Sequence, residues 1–217
     1  ALGNEISSLE KVALIIVKPD GVARGLTRGI LKRFIEEKVY PIMWKKVFIT
    51  GELLDRLYMF VKVKYRDTWW VMNKTFKLSP CIVCPLIGEK EAYEHLPKKV
   101  REIVGPTTPF IGKPGQIRFD FNGCNRVLNV VHAADSPSSA VRELLVFYSL
   151  EDLKEIIEIV EQLKKESLKE WMEKIEEIET KKVVEIDYID TLREIKRRIV
   201  ERVANKKERD MYQELFS

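Results

Sequence analysis

Apolar residues in this chain form short continuous runs that alternate with helical stripes, and that alternation predicts a fold. Val12 to Val17 is an unbroken apolar run that stops at Lys18-Pro19-Asp20-Gly21, the pattern of a central strand covered on both faces and closed by a turn. From Thr27, the residues Ile30, Leu31, Phe34 and Ile35 recur at helical spacing to about Lys38, and Tyr40 to Ile49 reads as a second strand. Thr50 is a candidate N-cap for a helix carrying Leu53, Leu54, Leu57, Tyr58 and Val61. Trp69, Trp70, Met72 and Phe76 suggest a further helical piece. Pro80 to Leu86 predicts a third strand, and Glu89 to Val104 a helix divided by Pro97. Gly105 to Gly115 holds three prolines and three glycines and reads as a long ordered loop, which Ile117-Arg118-Phe119-Asp120-Phe121 leaves with side-to-side alternation. Val127, Leu128, Val130 and Val131 form a last short strand with His132 at its end. Ser136-Pro137 then opens a helix carrying Ala140, Leu144, Leu145 and Tyr148.

The order strand-helix-strand, strand-helix-strand predicts a ferredoxin-like α+β fold, a βαββαβ antiparallel sheet with surrounding helices. After Leu150 the texture changes. Leu153, Ile156, Ile157, Val160, Leu163, Leu168, Trp171, Met172, Ile175 and Ile178 continue an apolar stripe among many Glu and Lys. Ile186, Ile189, Leu192, Ile195, Ile199 and Val203 make another, with Thr180 to Asp187 as the break. The expected organisation is a front domain over residues 1–153 and a helical extension over 154–217, which packs on its own core or on a neighbouring subunit.

Composition narrows the class. The 217 residues are 45% apolar and 33% charged, ordinary for a globular protein. No apolar run approaches the roughly 18 residues of a spanning helix, and the first residues lack a signal pattern, so a cytoplasmic location without membrane contact is expected. Three cysteines argue against a disulfide framework, and Cys81 and Cys84 bracket a strand on which they would point to opposite faces. The net charge of +4 hides an asymmetry: residues 1–150 hold 23 Lys+Arg against 15 Asp+Glu, the rest 15 against 19. A basic front domain suits a polyanionic ligand such as a nucleotide or nucleic acid. Nucleic acid ranks last, for want of a recognisable motif.

The chemistry concentrates on His132. Asn129 precedes it by three residues and Glu143 lies on the following helix, so a carboxylate can hold one ring nitrogen and leave the other for attack. Lys18 at a strand end, and Arg101, Thr107 and Arg118 on or near the long loop, add polar groups. Phosphoryl transfer needs little else than such donors around a nucleophile in line with phosphorus.

Two motifs, Lys18-Pro19-Asp20-Gly21-Val22-Ala23-Arg24-Gly25 and Asn129-x-x-His132-x-x-Asp135-Ser136, resemble the nucleoside diphosphate kinase family. Gly105-x-Thr107-x-Pro109 and Lys113-Pro114-Gly115-x-Ile117-Arg118-x-Asp120-Phe121 fall in order between them, and the resemblance spans about Lys11 to Leu153. It implies that His132 takes the γ-phosphate of ATP or another nucleoside triphosphate and passes it to a diphosphate. It further implies that Lys18, Arg101, Thr107 and Arg118 hold phosphates, and that Lys18 and Asn129 reach the ribose. Glu143 would orient the imidazole, Tyr58 would lie near the transferred phosphate, and Trp69 would stack on the base. Mg²⁺ would arrive on the nucleotide, with no metal ligand from the protein, and a homo-oligomer is expected. Asp20 and Asp120 read as structural.

Departures from the family pattern qualify this reading. Ala133-Ala134 stand where glycine and serine usually follow the nucleophile, removing a hydrogen bond worth on the order of 1 kcal/mol. Leu128 stands where arginine is common, one extra residue lies between Asp120 and Asn129, and the extension exceeds the usual length. The competing reading is a nucleotide-binding or scaffolding protein of the same fold, with weak or no kinase activity.

Overall fold

The computed structural model describes residues 11–89, 95–162 and 168–178. Strand β1 (Val12–Val17) is wholly buried, as its continuous apolar run requires, and ends in a one-turn helix α1 (Pro19–Ala23). A simple turn was expected there. Proline at the first helical position supplies a preset φ and has no amide to leave unpaired, so the chain coils instead. Helix α2 (Thr27–Glu36) buries Ile30, Leu31, Phe34 and Ile35, the predicted stripe.

The expected strand from Tyr40 to Ile49 is split into β2 (Val39–Pro41) and β3 (Lys45–Val47), both paired with β4 (Cys81–Gly88). Pro41 faces Leu86 and Lys45 faces Val83, so four steps on one side meet three on the other and one residue bulges out. Pro85 lies opposite that bulge and has no amide to donate, although its carbonyl accepts from Ile42 at 3.1 Å. A proline inside a central strand is thus tolerated where its neighbour departs from the ladder.

Between β3 and β4 run α3 (Gly51–Leu57), α4 (Met59–Lys64) and α5 (Trp69–Thr75). Thr50 caps α3 as predicted, its hydroxyl accepting from the Leu53 amide at 3.3 Å. The single helix expected through Val61 breaks at Tyr58. Helix α6 (Leu96–Val104) follows β4, with Pro97 in its first turn, and the part of the expected helix over residues 90–94 lies outside the described residues.

Ile117–Asp120 is a short helix, α7, where alternation suggested an extended segment. A five-residue window cannot separate the two periods, and here the Phe119, Asp120 and Phe121 amides close helical bonds onto Gln116 and Ile117. The last strand is shorter than expected, β5 (Val131–Ala133), with His132 at its centre, and it leads to α8 (Pro137–Phe147), capped by Ser136. Two further helices are α9 (Leu150–Gln162) and α10 (Leu168–Glu176).

The sheet order is β2-β4-β1-β5 with every pairing antiparallel, the ferredoxin-like α+β arrangement. Helices α6 and α8 lie against β1, and α10 lies on α2. Ile156, Ile175 and Ile178 are buried in the common core, and Arg28 of α2 donates to the Ile178 and Glu176 carbonyls at 3.0 and 2.6 Å. The first part of the sequence beyond residue 150 therefore covers α2. The second predicted stripe, Ile186 to Val203, lies outside the described residues.

Candidate functional site

The site forms where the ends of β1 and β5 meet. Ile16 pairs with His132, so the nucleophile candidate sits beside the central strand rather than on a free loop. Just before it the backbone makes a tight reversal: Val130 has φ +61°, and the Val131 amide reaches back to the Asn129 carbonyl at 2.7 Å. A β-branched residue at positive φ is a costly conformation that the surroundings must hold. Here the Val130 amide donates to Asp20 Oδ2 and its carbonyl accepts from the Lys18 amide, each at 2.9 Å. Asp20 is buried and serves the backbone. Asp120 is likewise engaged by Arg33 at 2.7 Å and by the Gly115 amide.

His132 Nε2 lies 2.8 Å from Glu143 Oε2. An ionised carboxylate only accepts, so Nε2 carries the proton and the lone pair is on Nδ1. No hydrogen bond engages Nδ1 among the described residues. Glu143 projects from α8 and is buried; its Oε1 accepts from Arg142 at 3.0 Å. The Tyr58 ring, at the break between α3 and α4, meets the imidazole edge-on with centroids 5.2 Å apart. Burial, and next the Glu143 charge, hold its phenol well above the ordinary range, so it stays protonated.

Cations surround this pair. Lys18 Nζ is buried, donates to Asn129 Oδ1 at 2.9 Å and to the Val127 carbonyl, and lies 5.6 Å from the centre of the Phe76 ring. Burial, assisted by Arg118, pulls the ammonium down to about 8, with Asp20 opposing. Arg118 from α7 is buried and clamps the Val131 carbonyl through Nε and Nη2 at 3.2 and 2.8 Å and the Gly105 carbonyl at 2.9 Å. Burial and the neighbouring Arg101 lower it to about 10. Arg101 from α6 reaches the Ala133 carbonyl at 3.4 Å and Asp135 at 2.5 Å. The two guanidinium groups therefore grip the residues on either side of His132. Thr107 is tied in through its carbonyl, which accepts from Asn129 Nδ2 at 3.0 Å.

Trp69 stands apart from this group. It is only 6% exposed, its indole donates to Asp55 at 2.8 Å and it meets Tyr58 at a 73° interplanar angle. As placed it shows no open face, so stacking a base on it requires the Asp55 hydrogen bond to open. Cys81 and Cys84 are free and buried, and burial raises both thiols well above their ordinary range, which suppresses the reactive thiolate. Among the described residues no three His, Cys, Asp or Glu side chains converge as metal ligands. Arg142 was not anticipated from the sequence: it is one position from Glu143 on a helix, where neighbours do not share a face, and only the fold around α3 turns it back.

Buried cations are costly unless an anion offsets them, so the class this site defines is a phosphate-handling α+β protein. The family model described as nucleoside diphosphate kinase matches residues 11–153. Nucleoside diphosphate kinase from Pyrococcus horikoshii is 32% identical over 144 residues, covering 65% of this chain and 87% of that protein. The Archaeoglobus fulgidus enzyme is 34% identical over 140 residues, covering 64% and 87%. Among solved structures, Aquifex aeolicus nucleoside diphosphate kinase aligns with a TM-score of 0.57 at 32% identity, covering 65% of this chain and 97% of that one. The Borrelia burgdorferi enzyme, solved as a transition-state mimic with vanadate and ADP, aligns with a TM-score of 0.56 at 26% identity, covering 65% and 88%. The chain belongs to the nucleoside diphosphate kinase family and is by that membership a phosphotransferase.

Proposed function

We propose that this protein transfers the γ-phosphoryl group of a nucleoside triphosphate to a nucleoside diphosphate through a phosphohistidine at Nδ1 of His132. The observation that carries this is the 2.8 Å bond from Nε2 to Glu143, which leaves Nδ1 as the nucleophile. In the first half-reaction the Nδ1–P bond forms and the bond from phosphorus to the β,γ-bridging oxygen breaks, releasing the diphosphate. The second half-reaction reverses this with an acceptor diphosphate. The Nε2 proton stays on the imidazole, and Glu143 offsets the charge that develops there.

In this reading Lys18, Arg101, Thr107 and Arg118 receive the phosphates, Lys18 and Asn129 reach the ribose, and Tyr58 lines the path of the transferred group. Trp69 is the candidate stacking residue, reached by opening its bond to Asp55. Mg²⁺ comes and goes on the phosphates: Glu143 and Asp135 are engaged in ion pairs, Asp20 Oδ2 accepts from the backbone, and among the described residues no carboxylate cage competes for it. Residues 1–153 act as the catalytic domain and 154–217 as an appended helical extension. Phe110 and Ile111, exposed on the long loop, support self-association into a homo-oligomer. Three unpaired thiols support work in the reducing cytoplasm. Among the described residues no helix is long and apolar enough to cross a membrane. The scaffolding alternative is less favoured, because the histidine, its carboxylate and the cations form one connected network.

Incubation with γ-labelled ATP tests the reading. The protein should acquire an acid-labile, alkali-stable label that chases onto any added diphosphate, and His132→Ala should not. Absence of label in the parent protein, or equal labelling of His132→Ala, overturns it.

A further inference from the structure

Glu143 has two carboxylate oxygens, and the imidazole uses one. The other accepts from Arg142 Nη2 at 3.0 Å, and the same guanidinium donates to the carbonyls of Arg56 and Leu57 at 2.9 and 3.1 Å. Its carbon also lies 5.7 Å from the centre of the Phe60 ring on α4. Arg142 thus closes the C-terminal end of α3, faces α4, and holds the carboxylate that holds His132. The two carbonyls it grips immediately precede Tyr58, whose ring edges the imidazole.

We infer that Arg142 is a positioning residue for the phosphohistidine step, fixing the rotamer of Glu143 and locking it to the α3–α4 break that carries Tyr58. This rests on His132 being the nucleophile. Two physical consequences separate the role from a purely structural one. A carboxylate bonded at both oxygens has one orientation, so Nδ1 is held on the line of attack; with one oxygen released it can rotate and the imidazole with it. The guanidinium also offsets part of the Glu143 charge. Without it the imidazole feels a more negative potential, which favours the protonated ring, and a protonated ring cannot attack. The other charged or titratable groups around the site, among the described residues, are Tyr58 from the α3–α4 break, Lys18 from the end of β1, Asp20 from α1, Arg101 from α6, Arg118 from α7 and Asp135 after β5. None of these groups has its own charge altered when only Arg142 is replaced.

The test is single-turnover labelling of the full chain by γ-labelled ATP across pH 5 to 9, for the parent, Arg142→Gln and Arg142→Lys. Arg142→Gln should label about tenfold more slowly at saturating ATP with KM nearly unchanged, the scale of one charge-assisted hydrogen bond. The acidic limb of its rate profile should move to higher pH. Arg142→Lys keeps the charge but not the fork, so its acidic limb should stay in place while its rate falls less. If Arg142→Gln is merely less stable to urea, with the parent rate and acidic limb, the inference is overturned. A parent protein that takes no label removes the phosphohistidine reading and this inference together.

Discussion

Asp20 Oδ2 accepts the amide of Val130 at 2.9 Å across 110 residues of sequence, and together with the Lys18 amide on the Val130 carbonyl this bond secures the strained turn that feeds His132 into β5. Asp20→Ala should leave that buried amide unpaired and cost about 1–3 kcal/mol, read as a fall in the urea midpoint. Gly21→Ala should be comparably harmful for a different reason. A β-carbon there would lie 2.7 Å from the Val130 carbonyl oxygen and 3.0 Å from Val17 Cγ1, both in packed backbone or core. Overpacking of this kind costs about 1–3 kcal/mol. Parent-like midpoints for both variants would show that the turn is not held from this side.

Lys18 gives the protein an alkaline signature. Its folded value of about 8 lies below the ordinary 10.5, so between these pH values the unfolded chain binds the extra proton and this lysine adds stability as pH rises. Phosphate affinity should move the other way, since the same ammonium loses its charge through that window. Calorimetric titration with ADP should therefore show weakening above about pH 8 that Lys18→Met, already weak, does not share. A flat parent profile from pH 7 to 10 would exclude a phosphate contact by this lysine.

Trp69 should behave as core before it behaves as a base platform. Trp69→Ala is expected to cost about 3–5 kcal/mol in urea unfolding, the range for large aromatic truncations. Asp55→Asn weakens the anchor of the indole without emptying the core. If base stacking uses this ring, that variant should bind ADP at least as tightly as the parent, because less has to open. Weaker binding by Asp55→Asn would place the base elsewhere.

Truncation after Leu153 removes Ile156, Ile175 and Ile178 and uncovers α2. Each buried isoleucine contributes about 1.5–3 kcal/mol before ordering entropy is subtracted, so a loss of several kcal/mol is expected in thermal unfolding. Arg28→Ala alone should cost no more than about 1 kcal/mol, since the side chain is 39% exposed. Light scattering on the truncated chain would show, by a change in mass, whether the extension also sets assembly.

What the sequence determined by itself is what depends on local pattern. The buried run of β1, the stripe of α2, the Thr50 and Ser136 caps and the pairing of a helix-borne Glu143 with His132 all follow from spacing and residue type over a few turns. The tertiary structure decided what depends on distant partners. The split of the second strand answers to Pro85 on its neighbour, the positive φ of Val130 is held by Asp20, and the helical turn at Ile117–Asp120 replaces an extended reading that five residues could not test. Arg142 belongs here too. Adjacent positions on a helix point apart, and only the return of α3 beside α8 gives its guanidinium a reason to turn back onto Glu143.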